Sequence, residues 1–251
     1  MCTVTYRRDG GRLLVVMNRD ERWGRAAEVP PRIVGDNPSW MAPADGEKGG
    51  TWIGVNGLGT VACLLNAYVP GDLELLGRED VPSRGGIIPL LLETELDDIE
   101  SWMRDELTVQ RFPSFSLLIW SSKGDQRVDW RLDQGMTCVP LDAGDWRMAS
   151  SSAWRTNEVL SWRVALFETW RREGAPFQGL LPQFNLLEVE GREAWSPFVT
   201  RSFSATRSVT RVEVDGCDAR AELQWWPRCG RKTIAREPSA CLDLRLAERT
   251  A

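Results

Sequence analysis

The stretch Cys2-Thr3-Val4-Thr5-Tyr6, then Asp9-Gly10-Gly11 and Leu13-Leu14-Val15-Val16, runs into Asn18-Arg19-Asp20-Glu21-Arg22. β-Branched and apolar residues on both sides of a Gly-Gly turn predict that the chain opens as a β-hairpin. With the turn centred on Gly10, cross-strand partners sum to about 20, and a two-residue loop moves that sum by only one. Cys2 then faces Met17, Asn18 or Arg19, with directly opposed Cβ atoms roughly 4.5–5.5 Å apart. An arginine there favours the thiolate, whereas a carboxylate accepts hydrogen bonds from an α-ammonium or orients it as a base. The alternative for this charge run is a solvated strand exit.

The 251 residues include no histidine. A Ser-His-Asp or Cys-His arrangement, a His-bearing zinc site and a His proton shuttle are therefore excluded. An initiator methionine is normally trimmed before a small residue, which would put a thiol and a free α-amino group on the same carbon of Cys2. Thiol and terminal amine titrate at about 8.5 and about 7.7–8.0, so the pair is a nucleophile with its own base.

The hairpin is one of several ordered segments with a common likeness. Met1-Cys2, Asn18-Arg19-Asp20-Glu21, Gly49-Gly50-Thr51-Trp52-Ile53-Gly54, Asn66, Ser83-Arg84-Gly85 and Ala205-Thr206-Arg207-Ser208 span nearly the whole chain. In this order they resemble the transport and Golgi organisation protein 2 family, also called the NRDE family. That family looks like a branch of the cysteine N-terminal nucleophile hydrolases. The resemblance implies α+β architecture, a four-layer αββα sandwich of two stacked antiparallel sheets flanked by helices, as one domain over residues 1–251. It implies Cys2 as nucleophile, Arg19 and Asp20 as the pair after the first hairpin, Asn66 in the first Asn place and Arg207 as the late Arg. A shifted alignment gives Asn18 and Glu21 in place of the pair. The second Asn falls within Met148-Ala149-Ser150-Ser151-Ser152, where Ser151 is the substitute. A hydroxyl offers less reach than an amide, and losing one oxyanion donor costs about 2.7–4 kcal/mol in a well-studied hydrolase.

The functions implied are cleavage of a linear amide C–N bond, or acyl transfer from it, through a Cys2 thioester. The alternative is a non-catalytic carrier of haem or of a lipid or acyl-CoA; without histidine, an axial haem ligand would be Cys, Met, Tyr or none. No resident cofactor and no metal are expected. Trp52, Arg84 and Trp154 are candidate substrate-binding residues, whereas Trp102, Trp162 and Trp170 fall in helical segments.

A net charge of −5 and a pI near 5.1 argue against nucleic acid or anionic membrane surfaces as main partners. No run of about 18 apolar residues is present and the start lacks a signal-peptide core, so a cytoplasmic protein is expected. The six cysteines lack metal-ligand spacing and are expected free and buried. No pattern in the chain specifies an assembly state.

Along the chain, Val29 to Pro43 reads as an irregular Pro-rich loop. Thr51–Val55 and Thr60–Asn66 form a second hairpin around Asn56-Gly57, placing Asn66 at its exit. Helices are predicted over Arg84–Glu95 and Asp98–Leu107, capped by Ser83 and Asp97, and over Asn157–Arg172, with Val159, Leu160, Val164, Phe167 and Trp170 on one side. Strands are predicted over Phe115–Ser121, Gln126–Leu132, Phe198–Ala205, Ser208–Val214 and Ala219–Trp225.

Overall fold

The computed structural model describes residues 2–75, 78, 80–95, 98–110, 112–230 and 233–247. The opening strands β1 (Cys2–Asp9) and β2 (Arg12–Arg22) form the expected hairpin, with Gly10 at φ 57° in its two-residue turn. Partners sum to 21, so Cys2 faces Arg19 and Thr3 faces Asn18. There follow β3 (Val29–Val34), β4 (Trp40–Ala44), β5 (Ile53–Asn56), β6 (Val61–Asn66), α1 (Ile87–Leu92), α2 (Ile99–Gln110), β7 (Phe115–Ser121), β8 (Gly124–Arg131), β9 (Gly135–Pro140) and β10 (Arg147–Ser150). The remaining elements are α3 (Thr156–Arg172), β11 (Phe177–Gln178), β12 (Leu181–Pro182), α4 (Gln183–Leu186), β13 (Ser204–Asp215), β14 (Arg220–Cys229), β15 (Thr233–Ile234) and β16 (Ala240–Arg245).

Apart from β11 and β12, which pair with each other, the strands build two seven-stranded antiparallel sheets. One runs β10-β1-β2-β13-β14-β15, with β16 also on β14; the other runs β3 to β9 in chain order. Strand alternation sends Val4, Tyr6, Val15 and Met17 between the sheets, against Ile53, Val55, Cys63, Leu65, Leu118 and Trp120. Ala62, Leu64, Leu117 and Ile119 point the other way, beneath Ile87, Ile88, Leu91 and Met103 of α1 and α2. On the far side of the first sheet, Phe167 and Trp170 of α3 pack with Phe184 of α4 and Trp146. Two apolar faces per sheet need a cover on each side, and the result is the four-layer αββα sandwich.

The predicted loop from Val29 to Pro43 contains two strands. Pro30 and Pro31 lie in β3, an edge strand, where the pairing with β4 shifts register between Val29 and Arg32. An edge or bulge is where a strand tolerates residues lacking an N–H. Phe198–Phe203 is mostly irregular, and β13 starts at Ser204. The buried residues of α3 are Val159, Arg163, Phe167 and Trp170, whereas Val164 is half exposed. Of the predicted caps, Ser83 makes no side-chain cap bond to the short 3-10 turn Arg84–Gly86, and Asp97 lies outside the described residues. Cys2 and Cys63 are buried, but Cys217, Cys229 and Cys241 are exposed, and no cysteine of the chain is in a disulfide. No helix among the described residues is long and apolar enough to cross a membrane.

Candidate active site

Strand order decides what surrounds Cys2. β1 lies between β2 and β10, so Cys2 has Arg19 on one side and Ser151, just past β10, on the other. The Cys2 nitrogen donates to Ser151 Oγ at 3.1 Å, and the Ser151 nitrogen donates to the Cys2 carbonyl at 2.9 Å. Ser151 is thus a direct partner of the Cys2 backbone. Burial, helped by the Asp20 charge, pushes the thiol up; the chain-terminal ammonium, a hydrogen bond from the Asp20 main-chain N–H and the Arg19 charge act in the other direction.

A cleft of about 700 Å³ opens beside the thiol, lined among others by Cys2, Arg19, Glu21, Trp52, Asn66 and Arg84. Arg19 is buried at its wall. Its guanidinium bonds Glu28 at 2.8 Å and Asp45, and stands 4.4 Å from the Trp52 ring centroid. Asp45 is itself clamped by Arg25 through two hydrogen bonds of 2.7 and 2.8 Å. Burial works against the Asp45 charge, yet the Arg25 bonds, the Lys48 amide and the Arg19 and Arg25 charges hold its carboxyl at about 2. Arg19 therefore acts on the thiol as a fixed charge already balanced by carboxylates.

Arg84 reaches the same cleft by a different route. The Thr51 nitrogen donates to the Gly85 carbonyl at 2.9 Å, and a Cβ built on Gly50 would stand 2.6 Å from the Gly85 carbonyl carbon. Gly49-Gly50-Thr51-Trp52 and Ser83-Arg84-Gly85 thus meet backbone to backbone, which only glycine allows. The Arg84 guanidinium bonds the carbonyls of Ser114 at 2.8 Å and Ala67 at 3.3 Å, and stands 5.9 Å from the Tyr68 ring centroid. Among the described residues no carboxylate pairs with it. Burial depresses its pKa. Asn66, at the end of β6, lines the cleft, and its side chain has no hydrogen-bond partner among the described residues.

Asp20 also lines the cleft, whereas Asn18, Arg207 and Trp154 lie outside its lining. Asp20 is buried and accepts a 2.7 Å bond from Thr206 Oγ1; burial pushes its carboxyl up, against Arg163, the terminal ammonium, Thr206 and Arg201. Asn18 faces the opposite side of the sheet from Cys2, where its Nδ2 donates to the carbonyls of Asn185 at 2.7 Å and Pro197 at 2.9 Å. Arg207 sits at the β13 bulge, donates to the Arg22 carbonyl at 2.9 Å and lies near the Trp23 ring, outside the cleft lining. Trp154 is also outside it, half exposed and edge-on to Trp195. Glu21 lines the cleft, 3.8 Å from Arg19 and 3.7 Å from Arg25.

Residues that sequence reasoning passed over complete the surroundings: Glu28 and Asp45, which flank the segment read as a loop, and Arg163, which lies in the apolar stripe of α3. Among the described residues no cluster of three His, Cys, Asp or Glu is placed to hold a metal.

Comparison with known proteins finds similarity in fold and in sequence. The Caenorhabditis elegans N-acylethanolamine-hydrolyzing acid amidase ortholog is similar in fold, with a TM-score of 0.53, 11% identity and coverage of 86% of this chain and 93% of that one. A variant of the conjugated bile acid hydrolase from Clostridium perfringens aligns over 100% of this chain and 99% of its own, at 10% identity and a TM-score of 0.47. In sequence, the Transport and Golgi organization protein 2 homolog of Homo sapiens is 28% identical over 120 residues, 45% of this chain and 41% of that protein. The Mus musculus homolog is 25% identical over the same length and shares. The chain thus aligns with about two fifths of the length of these curated relatives. The Transport and Golgi organisation 2 family profile matches residues 1–160, and the chain belongs to that family.

Proposed function

We propose that this protein is a cysteine N-terminal nucleophile amidohydrolase that cleaves a linear amide C–N bond, or transfers its acyl group, through a thioester on Cys2. The observation that carries this reading is the triangle of Cys2, its directly opposed Arg19 and the unpartnered amide of Asn66 on one cleft. With Met1 removed, the Cys2 nitrogen is an amine already seated on Ser151 Oγ. It takes the thiol proton as sulfur attacks the carbonyl, then passes that proton to the leaving nitrogen as the C–N bond breaks. Water, or another acyl acceptor, gives up a proton to the same amine as it attacks the thioester carbonyl; the C–S bond breaks, the acyl product leaves and the amine returns the proton to the Cys2 sulfur. A buried thiol held neutral suits such a relay better than a stored thiolate. The Asn66 amide supplies the oxyanion donor, and Arg84, without a carboxylate partner, anchors an anionic substrate group.

The test is the intact mass of the purified protein together with reaction of a thiol-selective acylating probe with wild type and Cys2→Ser. A missing Met1 and fast labelling of one cysteine, lost in the variant, are expected. Retained Met1 would end the self-activated mechanism, since the amine would belong to the wrong residue.

A second reading, carriage of haem or of a lipid or acyl-CoA without turnover, draws on Ser151, whose hydroxyl is engaged by the Cys2 nitrogen. Haem titration separates it: binding indifferent to Cys2→Ala, Asn66→Ala and Arg84→Ala would detach the cargo from this cleft.

A further inference from the structure

A second cavity, of about 340 Å³, lies on the other side of Cys2 from Arg19, where Ala149, Ser150 and Ser151 form part of its wall. It shares Asn66 and Tyr68 with the cleft. A carbonyl held between Cys2 and Asn66 therefore has one cavity on the β2 side and another on the β10 side. The cleft mixes arginines and carboxylates; the second cavity is walled by Leu65, Val69, Met148, Leu160 and Val164. The charged residues in that lining are Arg127 and Arg131 alone. Both guanidiniums converge on Ser116 Oγ, at 3.4 and 3.2 Å, and on Asp129 Oδ1, at 2.9 and 3.0 Å. Two guanidiniums against one carboxylate leave a net positive charge on the β8 side of a pocket whose other lining combines these apolar side chains with Asn66, Tyr68, Thr156 and four serines.

We propose that this pocket receives the acyl half of the substrate and that the acyl chain ends in a carboxylate, held by Arg127 and Arg131. The assignment of halves rests on the amidohydrolase reading: the amine must depart before the thioester is resolved, and the wider polar cleft is its exit. An aliphatic body gains from apolar burial, roughly 25 cal/mol per Å² removed from water. The planar, two-pronged guanidinium geometry suits a terminal carboxylate.

The experiment measures calorimetric binding to Cys2→Ala, which needs no turnover. The probes are N-acetylglycine, N-octanoylglycine and the monoglycine amide of suberic acid. The suberyl compound is expected to bind at least tenfold tighter than the octanoyl one, and the advantage is expected to vanish in Arg127→Gln. Val164→Trp, at a half-exposed helix position, should weaken both long-chain probes without disturbing the fold. Equal affinity for the octanoyl and suberyl probes overturns the carboxylate end, and no gain of either over the acetyl compound overturns the pocket. Tight suberyl binding to Cys2→Ala beside an inert wild type would sink the hydrolase reading alone.

Discussion

Arg163 Nη1 donates to Thr3 Oγ1 at 3.0 Å, a contact that ties α3 to the residue following Cys2. The same nitrogen bonds Ser150 Oγ at 2.7 Å, and Ser150 Oγ in turn donates to the Cys2 carbonyl at 3.2 Å. Nε and Nη2 reach the carbonyls of Trp195 and Ser196 at 2.7 and 2.9 Å. One guanidinium therefore fixes β1 and β10, the strands whose ends carry the Cys2–Ser151 contact. Burial lowers its pKa to about 10, with the Asp20 charge acting against that shift.

Replacing Arg163 by Met would leave the Trp195 and Ser196 carbonyls without this donor and remove the largest of the charges that oppose the burial of Asp20. A loss of about 3–5 kcal/mol in urea-unfolding free energy is expected. Arg163→Lys should recover only part of it, because an ammonium cannot reproduce the planar fork that spans four acceptors. An Arg163→Met variant as stable as wild type would show that these contacts contribute nothing net.

Asn18 and Asn66 should separate stability from reactivity. Asn18 is fully buried; its Oδ1 accepts from Asn185 Nδ2 at 3.0 Å and its Nδ2 donates to the Asn185 main-chain carbonyl. Asn18→Leu is expected to cost about 1–3 kcal/mol in unfolding free energy. Asn66→Ala, at a cleft wall, should leave stability within about 0.5 kcal/mol yet slow acylation of Cys2 by roughly 10²–10³. The reverse outcome would move the oxyanion donor from β6 to the opposite side of the first sheet.

The hairpin register was legible because a two-residue Gly-Gly turn leaves only three partners for Cys2, and Arg19 is one of them. Arg163 was not legible: at i+4 from Val159 and i−4 from Phe167 it occupies an apolar stripe, and a helical pattern assigns arginine to solvent. Its partners, Thr3 and Ser150, are 160 and 13 residues away. Strand β10 was equally hidden, since Arg147-Met148-Ala149-Ser150 has little β propensity and is held by pairing to β1. The strands at Pro30-Pro31 were obscured by residues that mark loops in the middle of a sheet but not at its edge.

Asp45 gives the fold an acid-side signature. Its carboxyl is held at about 2, below the ordinary value of about 3.9, so its contribution is complete above pH ~4 and is lost as pH falls through 2. At pH 7 this amounts to on the order of 2 kcal/mol. Asp45→Asn should therefore be less stable than wild type at neutral pH, with the two unfolding free energies converging between pH 4 and pH 2. Parallel curves across that window would show that the Arg19–Asp45–Arg25 contacts are equally strong with the carboxyl protonated.

Gly50 tests whether the cleft depends on the backbone contact behind it. Cβ at this position would stand 2.6 Å from the Gly85 carbonyl carbon and 2.8 Å from its oxygen, so Gly50→Ala must push the Arg84 segment outward. Overpacking of this kind typically costs about 1–3 kcal/mol. Because Arg84 moves with Gly85 while Cys2, Arg19 and Asn66 belong to strands held by their own ladders, the variant should keep its reactive thiol but bind anionic probes in the cleft more weakly. Calorimetric titration of N-acetylglycine into Cys2→Ala and into the same protein carrying Gly50→Ala reads this directly. Unchanged affinity would mean that the anion is held by another cation of the cleft and that Arg84 serves only to tie the carbonyls of Ser114 and Ala67.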